Sequence, residues 1–490
     1  MGSRWIWNLT IILVFLVQNV YGTGVIRVHN KFRSRRDMIH NNRSLSDFKA
    51  HDYRRHFRIL SQVDVDLPIG GNGDPTDAGL YFASIGIGNP SNDYYVQVDT
   101  GSDIFWVNCI ECKKCPTESN LGIKLKLYNP KASLSAKLVT CKQDFCSATY
   151  DGGIPGCTSD MLCEYRVVYG DGSSTDGYFV NDIVQYNQVS GNLATTSANA
   201  TVTFGCGAKQ SGDLGTSTGA LDGLLGFGQA NTSMISQLAA AGKVKKMFAH
   251  CLDGIRGGGI FAIGQVVQPK VKTTPLVPNQ PHYNVNLKSI EVGKATLQLP
   301  TDVFETGDRR GTIIDSGTTL SYLPEVVYEP LILAILSHQS DLKLQTIENQ
   351  FTCFDYIGSV DDGFPLIKFH FEDSLTLTVY PHDYLFSYHV SNEDMWCIGW
   401  QNSGMQSKDG KDTILLGDLA LSDKLVVYDL ENQSIGWIEY NCSSSIKMKD
   451  EQTGRIYDVA SHDISSASSL IVGRLLLFFL LTAMLQSLIQ

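Results

Sequence analysis

Val96-Gln-Val-Asp99-Thr100-Gly101-Ser102 and Thr312-Ile-Ile-Asp315-Ser316-Gly317-Thr318 are one pattern written twice, roughly two hundred residues apart. In each, β-prone residues precede an aspartate, and a hydroxyl, a glycine and a second hydroxyl follow it. Each then runs into another apolar stretch, Ile104-Phe105-Trp106-Val107 or Leu320-Ser321-Tyr322-Leu323. A single Asp-Thr-Gly or Asp-Ser-Gly is a common turn. Two in matched contexts place two like carboxylates at tight turns between hydrophobic strands. Such a pair can share one proton, because carboxylates about 3 Å apart cannot both ionise.

Outward from these loops the chain alternates short β-prone runs with glycine, of which it has 45. Tyr81–Ile87, Tyr94–Val98, Leu162–Tyr169, Thr201–Phe204, Ile260–Ile263, Tyr283–Val292, Leu366–Phe371 and Lys424–Tyr428 read as strands, which predicts an all-β protein. Two segments read as helices, Ser233–Lys246 and Pro324–Ser337, the second with proline at its start. A further repeat, Gly223-Leu-Leu-Gly226-Phe-Gly and Ile414-Leu-Leu-Gly417-Asp-Leu, follows each aspartate loop by a little over a hundred residues. Two ordered pairs of motifs predict two lobes, 77–270 and 271–445, joined through Val267–Pro281, where prolines interrupt any strand. Each lobe is long enough for a core of its own.

The N-terminus carries Arg4, an apolar run from Trp5 to Val17 and a small-residue site at Val20-Tyr21-Gly22, so residues 1–22 read as a signal peptide. In an oxidising compartment the 12 cysteines become disulfides rather than a metal site, and no histidine stands at ligand spacing near Cys109-x-x-Cys112-x-x-Cys115. Seven cysteines crowd between Asp99 and Tyr169, and only Cys353, Cys397 and Cys442 fall in the second lobe. With nine in one lobe and three in the other, full pairing requires an odd number of cross-lobe bridges. The expectation is Cys353–Cys397 within the second lobe and Cys206–Cys442 across. Asn199, Asn231, Asn432 and Asn441 begin N-glycosylation sequons, expected on surface loops.

The net charge of −11 hides an asymmetry. Between Gly24 and Leu60 stand ten Lys or Arg and three Asp, a local +7 that leaves −18 on the remainder. A nucleic-acid arm does not suit a secreted chain. The stretch reads as a pro-segment over 23–76, held on an acidic cleft by Coulomb attraction at neutral pH and released when the cleft protonates. Leu67-Pro-Ile-Gly-Gly-Asn-Gly-Asp-Pro reads as the turn-rich junction to the mature protein. At the other end, 446–465 reads as a polar stalk leading into serines and an apolar tail, 466–490. Small residues, a spacer and a tail of this kind match a glycosylphosphatidylinositol signal, with attachment at Ser465 or Ser466. Arg474 shortens the apolar run below the roughly 20 residues of a membrane span. The expected location is the outer face of the plasma membrane.

Taken together, the two aspartate loops and the paired Leu-Leu-Gly strands resemble the pepsin-like aspartic endopeptidases, from about Gly79 to Cys442. The cysteine-rich insert resembles the plant nepenthesin-like branch. The resemblance implies a bilobal fold with a cleft between lobes, and Asp99 and Asp315 as the catalytic dyad. It implies that Gly226 and Gly417 make room for strands beside the catalytic loops. It further implies that Ser102 and Thr318 bond the outer carboxylate oxygens, and that Thr100 and Ser316 link the loops across the interface. Gly101 and Gly317 are expected to permit the tight turns and to donate N–H groups. Tyr169-Gly170-Asp171-Gly172-Ser173 resembles the flap that closes over substrate, with Asp-Gly as its turn, and Trp106 resembles the tryptophan that bonds the flap tyrosine. No cofactor or metal is implied. The partners expected are polypeptide substrates and the membrane glycolipid, with the protein a monomer.

Other chemistries lack their residues. His-Glu-x-x-His is absent, and Gly86-Ile-Gly88 and Gly257-Gly-Gly259 lack a phosphate-loop lysine. The alternative is a catalytically silent binding protein on the same scaffold, like the plant xylanase inhibitors. Such a protein typically loses one of the motifs, and here both aspartates, both glycines and the flap tyrosine are present.

Overall fold

The computed structural model describes residues 62–75, 79–150, 154–215, 219–307, 311–347, 351–390, 393–403, 413–450 and 453–464. The signal peptide, the basic stretch 24–60 and the tail with Ser465 and Ser466 lie outside the described residues.

The fold is all-β around two copies of one motif. In the first, Gly223–Gly226 runs parallel to Asn92–Asp99, with Gly226 opposite Asp99, and antiparallel to Trp106–Lys113. In the second, Thr413–Leu416 runs parallel to Gly311–Ile314, with Leu416 opposite Ile314, and Tyr322 pairs antiparallel with Leu415. A sheet of 15 strands carries the first lobe and continues into the second through an antiparallel seam. At the seam Met247–Leu252 pairs with Gly259–Ile263 on one side and with Lys424–Asp429 on the other, and Ser434–Glu439 follows. Strand residues alternate as a half-buried sheet requires: in Ile367–Phe371, Ile367, Phe369 and Phe371 are buried and the residues between are half-buried.

Both helices form, shorter than their sequence spans. Ser233 caps Met234–Ala240, and Gly242 ends that helix at φ +65°, a left-handed turn that stops it short of Lys246. In Glu325–Leu336, Pro324 occupies the cap rather than the first helical position, and Pro330 sits inside. The junction Val267–Pro281 does hold a strand. Thr273–Pro275 pairs with Ser434–Gly436 at the end of the sheet order, an edge position where the N–H that proline lacks need not be satisfied.

Two boundaries and one disulfide need correction. Val65–Asp66 lies between Gly259–Ile263 and Ser174–Gly191, and Ile69–Asn72 pairs with Leu80–Ile87. Val65 and Ile69 are fully buried, so the folded body starts upstream of residue 77 and the Gly-rich junction is part of it. The polar stalk is no stalk either. Ile446–Lys449 and Ile456–Val459 form a hairpin on Gln265–Gln268. His462 pairs with Asp66 at 2.9 Å, and the Ile464 N–H reaches the Ile69 carbonyl. Ile446 and Met448 point inward while Lys447 and Lys449 do not, so a strand with one apolar face has polar overall composition.

The third concerns Cys442, which is bonded to Cys251 and not to Cys206; Cys206 is bonded to Cys109. The seam explains the choice. Cys251 faces Leu425 across it, and Cys442 follows the strand beside Leu425, whereas Cys206 pairs in register with Val107 deep in the first lobe. Parity holds, since Cys251 belongs to the first lobe and Cys353 is bonded to Cys397. The four sequon asparagines are all exposed, with Asn199 on a long strand rather than in a loop.

Candidate active site

Both aspartate loops end their strands at the interface between the lobes, and the two face each other. The Asp99 carboxylate accepts the Gly101 N–H at 2.7 Å through Oδ1 and the Ser102 hydroxyl through Oδ2. Asp315 repeats this with the Gly317 N–H at 2.8 Å and the Thr318 hydroxyl at 2.7 Å. Asp99 is 6% exposed and Asp315 is 7%, so both are buried. Burial first, and then the charge of Asp315, pushes the Asp99 carboxyl up to about 7. The proton belongs to the pair.

The glycines serve a purpose other than the turn expected of them. Neither Gly101 nor Gly317 has a positive φ. A Cβ on Gly317 would stand 2.0 Å from Oδ1 of Asp99, and one on Gly101 would stand 2.5 Å from the carboxylate of Asp315. Each loop therefore needs glycine so that the other loop's carboxylate can approach. Behind them, a Cβ on Gly417 would meet the Leu320 and Thr318 carbonyls at 2.2 and 2.3 Å, and one on Gly226 would meet Asp103 at 2.4 Å. The paired Leu-Leu-Gly strands thus pack against the loops where nothing larger fits.

The link between loops is one-sided. The Ser316 N–H donates to the Thr100 hydroxyl at 2.8 Å. The Ser316 hydroxyl, expected to share in the link, is buried and has no hydrogen-bond partner among the described residues. A buried hydroxyl in that state costs about 1–3 kcal/mol. Gln97 adds a second cross-link, its amide donating to the Gly317 carbonyl at 3.0 Å.

Glu164–Val168 and the start of Ser174–Gly191 form the hairpin expected as a flap. Its turn has three residues rather than two. The Tyr169 N–H bonds the Ser173 carbonyl, the Gly172 N–H bonds the Tyr169 carbonyl, and Gly172 takes φ +83°. This is a type I turn closed by a bulge glycine. The Trp106 indole N–H donates to the Tyr169 hydroxyl at 2.7 Å, and Trp106 is 2% exposed. Burial pushes the Tyr169 phenol well up, with the charge of Asp99 adding to it. Cys141–Cys157 and Cys146–Cys163 pack Cys141, Cys146 and Cys163 into one apolar cluster with Trp106 and Tyr165. The cysteine-rich insert thereby braces the base of the hairpin.

Asp418 is a third carboxyl that the motif analysis passed over, although it directly follows Gly417. It is 1% exposed, and burial, then the charges of Asp315 and Asp99, push it well up.

Two facing carboxylates fed by N–H and hydroxyl donors, under a tyrosine hairpin, define the pepsin type of site. Residues 81–265 match the family model described as xylanase inhibitor N-terminal, and residues 282–439 match xylanase inhibitor C-terminal. Aspartic proteinase 36 of Arabidopsis thaliana is 50% identical over 95% of this chain and 94% of its own length. Aspartic proteinase 39 of the same plant is 47% identical over 94% and 93%. Among solved structures, edgp superposes with a TM-score of 0.60 at 19% identity, covering 78% of this chain and 96% of that one, a likeness of fold. The chain belongs to the pepsin-like aspartic proteinases of plants, and it is an aspartic endopeptidase acting on polypeptides.

Proposed function

We propose that this endopeptidase is secreted, works at mildly acid pH through Asp99 and Asp315, and is held on the outer face of the plasma membrane by a glycosylphosphatidylinositol glycolipid. The observation that carries the catalytic part is the mutual fit of the loops, each glycine packed against the opposite carboxylate. In hydrolysis the ionised member of the dyad takes a proton from a water molecule as its oxygen attacks the scissile carbonyl carbon. The protonated member donates to the carbonyl oxygen, giving a neutral tetrahedral diol. Collapse returns a proton from the diol to the dyad and delivers one to the leaving nitrogen, so the pair ends with the one proton it began with. Tyr169 would cover the bound peptide and exclude water, held in place by Trp106. Digestion of a protein substrate by the acid-treated enzyme, abolished by pepstatin, tests this reading.

The pH profile follows from the sign of the Asp99 shift. A carboxyl whose folded value is raised keeps its proton at pH values where free carboxylates have lost theirs. The singly protonated dyad therefore persists in mild acid, loses its proton as pH rises through the raised value, and gains a second in strong acid. kcat/KM measured from about pH 2 to 8 is expected to be bell-shaped, with its alkaline limb reporting loss of the shared proton. A rate that climbs steadily to neutrality contradicts the shared proton. The same sign holds for stability: the dyad's contribution is full below the ordinary carboxylate range and is lost as pH passes the raised value.

The anchor rests on the tail composition. Leu475–Ile489 is short for a span, Arg474 borders it, and serines from Ser461 to Ser469 supply small residues for transfer at Ser465 or Ser466. Phosphatidylinositol-specific phospholipase C is expected to release active enzyme from membranes. Enzyme that stays bound after treatment and yields peptides from Leu475–Gln490 by mass spectrometry is a spanning protein instead.

A further inference from the structure

We infer that Gln97 is a positioning residue for peptide hydrolysis: its side-chain amide, together with the Thr100 hydroxyl, clamps the Asp315 loop so that the Gly317 N–H stays aimed at the Asp315 carboxylate. The inference rests on the dyad reading above.

Gln97 stands two residues before Asp99 on the strand Asn92–Asp99. Val96 and Val98 are buried in the core, and Gln97, half-buried, points to the other face of the strand. From there its Nε2 donates to the Gly317 carbonyl at 3.0 Å, across 220 residues of chain. Thr100 Oγ1 receives the Ser316 N–H at 2.8 Å. A planar peptide unit joins the carbonyl of one residue to the N–H of the next. The Ser316 N–H therefore belongs to the unit that joins Asp315 to Ser316, and the Gly317 carbonyl to the unit that joins Gly317 to Thr318. The unit between these two carries the Gly317 N–H, which donates to Oδ1 of Asp315 at 2.8 Å. Both flanks of that donor are thus held by residues of the Asp99 segment.

Gly317 is where slack would do most harm. Its backbone lies against Asp99, since a Cβ on it would stand 2.0 Å from Oδ1 of that carboxylate. One residue therefore meets both acids, donating to one and packed on the other. A misplacement of about 1 Å at reacting groups can cost about 10²-fold in rate. The clamp has no return half. Ile313 takes the place of Gln97 in the second copy, two residues before Asp315, and pairs with Leu415 as Gln97 pairs with Leu224. An isoleucine side chain has no donor, and the Ser316 hydroxyl has no partner among the described residues. The hold on the Asp315 loop therefore runs one way, and Gln97 supplies the half of it that Thr100 does not.

The test uses the mature enzyme and steady-state kinetics across pH beside a circular dichroism melt. Q97M keeps the length of the side chain and removes the donor. It is expected to lower kcat about tenfold with KM unchanged, the rate equivalent of one ordinary hydrogen bond. Q97E supplies the rescue. A protonated carboxyl can donate to the Gly317 carbonyl, whereas an ionised one can only accept. Relative to wild type at the same pH, kcat of Q97E should be nearly full at about pH 3, below the ordinary glutamate value of about 4.3. It should fall to the Q97M level or lower at about pH 6, where that carboxyl has ionised. If Q97M does not fold, the pH dependence of Q97E still decides. A folded Q97M at the wild-type kcat, a loss confined to KM, or a Q97E equally impaired at both pH values would overturn the clamp. Cleavage that vanishes in D99N while Q97M keeps the wild-type rate removes the clamp alone, and cleavage that persists in D99N removes the dyad reading beneath it.

Discussion

Asn at position 99 or at position 315 is expected to cut peptide hydrolysis by at least about 10³-fold and to leave the fold intact. Both members of the pair are needed, one to take a proton and one to give it, and an amide at this acidity does neither. Folding should survive because the amide oxygen of Asn can still accept the Gly101 or Gly317 N–H, while the neighbouring hydroxyl can turn to accept from the amide nitrogen. Charge on buried Asp99 opposes folding, as its raised pKa shows, so D99N should melt no earlier than wild type at neutral pH. Peptide cleavage near pH 4 and a melt of each single variant provide the check. A folded variant that retains more than a few per cent of the wild-type rate removes its aspartate from the dyad.

The second large effect is on stability. Cys251 and Cys442 close 191 residues of chain, and replacing both with alanine is expected to cost about 5 kcal/mol. Cys112 and Cys115, only 3 apart, should cost about 2 kcal/mol on the same entropic basis. The long bridge also fastens the seam where the lobes join, since Cys251 belongs to the strand that pairs with Lys424–Asp429. Denaturant unfolding of the two double variants compares them directly. A Cys251/Cys442 variant that unfolds at the wild-type midpoint, or later than the Cys112/Cys115 variant, refutes the ordering.

Much of the dyad was legible because its signals are local. An aspartate flanked by hydroxyls and glycine encodes its own hydrogen-bond donors, and alternating apolar residues encode the strands on either side. The repeat of that pattern, with a Leu-Leu-Gly strand after each copy, carried the two-lobed fold. The proposed proton sharing between Asp99 and Asp315 required only that the two copies meet. The odd cross-lobe disulfide followed from counting.

Where the sequence reading failed, the missing information was which distant residues become neighbours. Cys442 takes Cys251 because the last strands of the second lobe pair with Met247–Leu252, a register no spacing records. The supposed stalk folds down because Ile446 and Met448 find an apolar surface beside Val266 and Val459, which an isolated segment does not reveal. Gly101 and Gly317 are required by the carboxylate of the opposite loop, not by their own backbone angles. The Ser316 hydroxyl lacks a partner among the described residues for the same reason. The sequence by itself determined the local chemistry of each loop, its acid, its donors and its flanking strands, because these act within a few residues. Only the tertiary structure decided how the loops are held against each other, because packing between strands far apart in the chain brings Thr100 to the Ser316 N–H and Gln97 to the Gly317 carbonyl.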